Sequence, residues 1–257
     1  MTRDFTYRTY ARMLDAAVDA GYEFLTVREY LERETLPPRF LLLRHDVDRK
    51  PANALDFSRI EAERDVAATY YFRTVDRTLD PRVIGRVETL GHEIGYHYED
   101  LDRANGDPAE AHRSFATNLA QLREYATVDT ACMHGNPLTT FDNREMWGED
   151  PDFDRYDLLG EAYLSVDFAD VTYFSDAGRT WRDCPLKGDD HVVGQRFKTV
   201  QADRTADLVD LFRKRRVSRA CLHAHPNRWA DSYSEFVAER TRDAAVNAAK
   251  RGLQLLP

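Results

Sequence analysis

Tyr10, Met13, Leu14, Ala17 and Val18 recur at the three-and-four spacing that lines one face of a helix, so residues 5–33 read as a helical opening. Gly21 interrupts it, a second short helix is predicted over 26–33, and Leu36-Pro37-Pro38 ends the section. The next pattern differs in kind. Phe40-Leu41-Leu42-Leu43 is apolar without alternation, as expected of a strand covered on both faces in a parallel sheet. From there apolar runs and amphipathic stretches take turns, predicting helices over 53–63, 81–90 and 108–125 and strands over 67–72, 92–95 and 130–133. Beyond Asn136-Pro137 the periodicity is lost up to about residue 160, in a stretch rich in Asp, Gly and aromatics that reads as a long site-covering loop. Strands return over 163–166 and 171–174, followed by a helix over 205–216, a strand over 219–222 and a closing helix over 233–251. Alternation of this kind implies an α/β fold with a parallel sheet or barrel. No repeat or linker divides the chain, so one domain over 1–257 is expected, with 1–37 as an N-terminal helical extension.

Composition narrows this picture. At 257 residues and 42% hydrophobic, the chain suffices for one large core, since domains take about 100–200 residues. A formal net charge of −9 argues against nucleic acid as a partner, because phosphate backbones are bound by clustered Lys and Arg. The one dense basic run, Arg213-Lys214-Arg215-Arg216, closes a predicted helix, where cations complement the dipole. Cys132, Cys184 and Cys221 lie far apart with no CxxC pair, so neither a zinc finger nor a disulfide framework is encoded. A reducing, cytoplasmic setting is expected. No stretch approaches the roughly 18–20 apolar residues needed to span a bilayer, so no membrane association is expected.

Loops leaving the carboxyl ends of parallel strands open on one face, and functional groups gather there. In this chain the first strand runs into Arg44-His45-Asp46-Val47-Asp48, the third into His97-Tyr98-Glu99-Asp100, and the fourth into His134-Gly135-Asn136. The sixth runs into Asp176 and the last into His223-Ala224-His225. A divalent cation accounts for such a cluster: zinc takes imidazole nitrogen and carboxylate oxygen, and a catalytic site keeps about three protein ligands. Asp46 and Asp48, one residue apart in an extended segment, point the same way and can divide the roles of base and ligand.

Asp46-Val47-Asp48, the phrase Gly91-His92-Glu93-Ile94-Gly95-Tyr96-His97, and Leu222-His223-Ala224-His225 resemble, in order and separation, the first, second and fifth motifs of the polysaccharide deacetylases, carbohydrate esterase family four. The resemblance covers roughly residues 38–230. It implies a distorted (β/α) barrel of about seven strands that removes N- or O-acetyl groups from sugars with a divalent metal, usually zinc. It further implies Asp46 as general base, Asp48 and His97 as metal ligands, and His225 as the general acid that protonates the leaving group. His92 and His45 read as structural.

The departures define what the structure must decide. Four residues after His97, where the family pattern places a second metal histidine, stands Leu101. Asp100 and His134 are the leading replacements, with Glu99 and His223 behind them. His134 also stands where the family's arginine motif is expected, and Asp176-Ala177-Gly178-Arg179-Thr180-Trp181 is the nearest loop to its Asp-Trp motif. Asn136, Asp176, Arg179, Trp181 and Trp229 are the expected substrate-binding residues, the two tryptophans as surfaces on which a sugar ring could stack. The expected substrate is a small molecule or an oligosaccharide. The alternatives are a hydrolase of other C–N bonds, of the cyclic-amide type, and a carbohydrate-binding protein without activity.

Overall fold

The structure, a computed structural model, describes residues 4–136, 139–183, 192, 198–232, 234–239 and 241. Helix α1 (Tyr7–Asp19) starts at Thr6, whose hydroxyl accepts the Thr9 N–H while the Thr9 hydroxyl accepts the Thr6 N–H. Two otherwise unpaired donors are satisfied at once. Gly21, at φ 75°, turns the chain into a short strand, β1 (Glu23–Leu25), before α2 (Val27–Glu32), which Thr26 and Glu29 cap in the same reciprocal way. The opening segment is therefore not helical throughout. Its apolar face, including Tyr10, Met13 and Leu14, lies in the main hydrophobic core.

The apolar run continues further than its first four residues and becomes β2 (Phe40–Val47), buried along its whole length. Then follow α3 (Pro51–Ala62), β3 (Thr69–Phe72), α4 (Pro81–Thr89), β4 (Glu93–Tyr98), α5 (Asp100–Arg103), α6 (Pro108–Arg123) and β5 (Val128–Met133). After a long connection come β6 (Gly160–Glu161), β7 (Thr172–Ser175), α7 (Thr205–Arg213) and β8 (Arg219–Ala224). Helices α4 and α6 both begin with Asp-Pro: the Asp80 and Asp107 carboxylates accept the first free N–H groups, and proline occupies the position whose N–H would be unpaired.

The strands pair in parallel in the order β6-β5-β4-β3-β2-β8-β7, and β1 runs beside the first half of β2 on the edge that β3 occupies further along. The result is a curled half-barrel of seven parallel strands with alternating helices, as expected. Among the described residues β6 and β7 do not pair, so the curl stays open between them.

Two local expectations change. The strand expected over 163–166 is a turn, because the buried Glu161 carboxylate accepts the backbone N–H groups of Tyr163 and Leu164 at 2.6 and 2.9 Å and bends the chain. The strand lies just before it, at Gly160–Glu161. The aperiodic stretch after β5 holds short 3₁₀ turns at Asn143–Trp147 and Asp154–Tyr156, whose aromatics pack on Tyr98 and Phe115 beside α6. Of the closing helix expected over 233–251, residues 234–239 and 241 are helical and the others lie outside the described residues, as does Cys184. Among the described residues, no helix is long and apolar enough to cross a membrane.

Candidate active site and metal centre

Alternation along β2 decides which side chains face the inside of the curl. Arg44, Asp46 and, just past the strand, Asp48 point one way, while His45 points toward α3. There His45 Nε2 lies 2.6 Å from Glu61, which also accepts the Tyr70 hydroxyl at 2.6 Å and that of Tyr10. His92 lies on the same outer side, with Nε2 at 2.9 Å from the Ser58 carbonyl and Nδ1 at 3.5 Å from Glu61. Both histidines are buried in this packing network, as their structural reading required.

Inside the curl, neighbouring strands bring six ligand-type side chains together. His97 comes from β4, His134 follows β5, and His223 and His225 come from the end of β8. Asp48 Oδ1 is 3.4 Å from His97 Nε2 and 3.4 Å from His134 Nδ1. These three residues offer ligand atoms all within 4.8 Å of one another. His97 donates Nδ1–H to the Cys132 carbonyl at 3.0 Å, which leaves Nε2 bare and directed at Asp48. His97 Nε2 and Asp48 Oδ1 are both buried without a hydrogen-bond partner. Two facing acceptors with no donor between them fit a cation, since buried polar atoms otherwise find partners.

Burial, aided by the neighbouring positive ends of His97 and Arg73 and opposed by Asp48, pushes His134 down to about 4. Its ring is therefore neutral and able to ligate above that pH. Burial would raise the Asp48 carboxyl, but the close approach of His97 and the charges of His134 and His225 hold it well below the usual range. His134 thus lies within reach of the same point as Asp48 and His97. Asp100, the other leading replacement, is elsewhere: its carboxylate takes the Tyr96 hydroxyl at 2.7 Å, the Asn118 amide at 2.8 Å and the Ser114 hydroxyl at 2.5 Å, all on the α6 side. Glu99 is 3.9 Å from His134 and is engaged by Arg73 and Arg103.

Asp46 adjoins the triad at His97, with Oδ2 at 3.6 Å from Nε2, and His225 adjoins it at the second oxygen of Asp48, at 3.9 Å. Burial pushes the Asp46 carboxyl up, yet His223, His97 and Arg44 outweigh it and keep it ionised. Asp46 Oδ2 lies 2.8 Å from His223 Nε2, and Cys132 Sγ is 3.9 Å from its other oxygen. His225 donates Nδ1–H to Asp176 at 2.7 Å, leaving Nε2 toward the rim. Burial, with Arg228 and His223 close by, lowers His225 below the usual imidazole range.

Several expected substrate-binding residues turn out to be supports. Asp176 is fully buried and accepts four N–H groups: the ring and the backbone of His225 at 2.7 and 2.9 Å, the Trp229 indole at 2.8 Å, and Arg228 at 3.3 Å. Burial raises its carboxyl, but these partners bring it down to about 2. A carboxylate so enclosed has no face left for substrate. Trp181 and Trp229 are likewise 0% exposed, packed on each other and on Phe5, and no sugar can stack on them. The tryptophans were misassigned because strand-end position alone does not tell a rim residue from one folded back under the rim. Asn136 and Arg179 are partly exposed; Asn136 bonds Asp102, and Arg179 lies over Phe236.

Arg44 was overlooked. It is fully buried, 3.8 Å from Asp46 Oδ2, with one NH2 group 3.2 Å from His223 Nδ1 and its guanidinium 4.2 Å from the Tyr163 ring centre. An arginine two residues before Asp46, and so on the same face of the strand, was the available signal.

No family model and no curated protein matches the chain. Among solved structures it is similar to a mutant of the peptidoglycan deacetylase PdaC from Bacillus subtilis, at 13% identity over 84% of this chain and 99% of that one, with a TM-score of 0.39. At that distance the functional reading rests on the site's own geometry.

Proposed function

We propose that the chain is a metal-dependent hydrolase that removes an acetyl or other acyl group from an amino sugar or a related carbohydrate. The observation that carries this reading is the flanking of one potential cation site, Asp48, His97 and His134, by an ionised carboxylate on one side and a carboxylate-backed imidazole on the other. When bound there, a divalent cation such as zinc would polarise the acyl carbonyl and acidify water. Asp46, charged and fixed by its neighbours, accepts the proton of the attacking water. His225, whose Nδ1–H is held by Asp176, presents Nε2 to carry a proton to the departing nitrogen or oxygen. The near-complete burial of Asp46 and His97 keeps bulk water from competing for these protons.

The test is zinc content together with deacetylation of acetylated amino sugars by the wild type and by Asp46→Asn. Turnover should fall by about 10²–10⁴-fold, the range for losing a general base, with zinc content retained. An unchanged rate would remove Asp46 from the chemistry. The burial of Trp181 and Trp229 takes away the expected sugar-stacking surface and favours, as a second reading, hydrolysis of a C–N bond in a smaller amide. Parallel assays on acetamides and cyclic ureides separate the two.

A further inference from the structure

The rim offers more ligand atoms than one cation needs. Besides Asp48, His97 and His134, the residues Asp46, His223 and His225 also bring ligand atoms within 4.8 Å of one another. Distance alone would allow a second ion. The proton on His223 decides otherwise.

His223 Nδ1 lies 3.2 Å from Arg44 NH2 and 2.7 Å from the Tyr173 hydroxyl. A guanidinium donates and never accepts, so Nδ1 is the acceptor in this contact. The proton of the neutral ring then resides on Nε2, the atom 2.8 Å from Asp46 Oδ2. A nitrogen that bears a proton has no lone pair for a metal. His97 and His225 are wired the opposite way, each donating Nδ1–H to an oxygen and keeping Nε2 bare. Arg44 is held against the Tyr163 ring in a fully buried position, so the arrangement is built into the sheet rather than draped over it. Charge agrees. Arg44 and one divalent cation already outweigh Asp46 and Asp48, and a second cation would leave a large uncompensated positive charge in a site with little water.

We infer that His223 is a positioning residue and not a ligand: Arg44 and Tyr173 hold its proton on Nε2, where it orients Asp46, and the rim binds a single cation at Asp48, His97 and His134. The single-cation half rests on the metal-hydrolase reading above; the tautomer half does not.

The experiment is long-range nitrogen–proton NMR of the imidazoles in the labelled protein, before and after zinc, with the His223 signal assigned by its loss in His223→Gln. An Nε2-protonated His223 is expected in the metal-free protein, unchanged by zinc, while the His97 and His134 signals shift. Arg44→Met should move the His223 proton toward Nδ1. Zinc titration should give one ion per chain in the wild type and in His223→Gln. Hydrolysis of p-nitrophenyl acetate should fall roughly 10–100-fold in His223→Ala, the usual cost of an outer partner, and recover in part in His223→Gln, whose amide N–H can replace the donor. A His223 protonated on Nδ1, a His223 signal that shifts with zinc, or two zinc ions in the wild type with one lost in His223→Gln would each overturn the inference. A wild type that binds no zinc would sink the metal reading, and it is told apart because the His223 tautomer is read without metal.

Discussion

Asp176 joins stability to the proposed chemistry through one side chain. It receives four N–H groups in a fully buried position, and its carboxyl is lowered to about 2 by partners that outweigh its burial. A depressed carboxyl contributes stability that is complete above its unfolded value near 4 and disappears as pH falls through the folded value near 2. The contribution is about 2 kcal/mol. Asp176→Asn should therefore flatten the loss of stability between about pH 4 and pH 2, as followed by urea unfolding at stepped pH. It should also lower turnover at neutral pH by about 10³–10⁴-fold, because an amide no longer fixes the His225 proton on Nδ1. Trp181 makes the contrasting case. With its ring enclosed and its indole N–H bonded to Thr205 at 3.0 Å, Trp181→Ala should cost about 3–5 kcal/mol of stability by thermal unfolding, the loss of a core anchor. A change confined to KM would instead mark it as a substrate platform.

Strands place the site to within a fraction of a residue, and β4 shows how narrow the tolerance is. Gly95 lies two residues before His97, and a Cβ there would fall on the Tyr71 ring and lie 3.1 Å from the Thr130 carbonyl. The glycine is required by the close approach of that ring, not by an unusual backbone angle. Gly95→Ala should destabilise the protein by about 1–3 kcal/mol, as overpacking of a filled interior does, and weaken zinc binding by displacing His97; calorimetry reads both. The register matters similarly on β2, where Asp46, facing the rim, directly follows His45, facing Glu61. A slip of one position would exchange the rim carboxylate for a packing imidazole.

For the molecule as a whole, a cation that binds only the folded rim stabilises by mass action. Zinc at about 100 times its dissociation constant should raise Tm by roughly 5–10 °C in a domain of this size, and Asp48→Asn should abolish the rise. The alternation of apolar runs and amphipathic helices was legible along the chain, since burial on both faces of a parallel strand and on one face of a helix imposes periods that need no partner to be seen. The strand-end positions of Asp46, Asp48, His97, His134 and His225 were legible for the same reason. What lay beyond reach was every choice among residues that share a strand end. The selection of His134 over Asp100 depends on α6 supplying Ser114 and Asn118 to the latter, and the withdrawal of Trp181 and Trp229 depends on Phe5, which is more than 170 residues away. Local sequence sets which residues arrive at the rim; the direction each side chain takes is settled by hydrogen-bond partners and packing surfaces that distant segments bring, and these exist only once the sheet has curled.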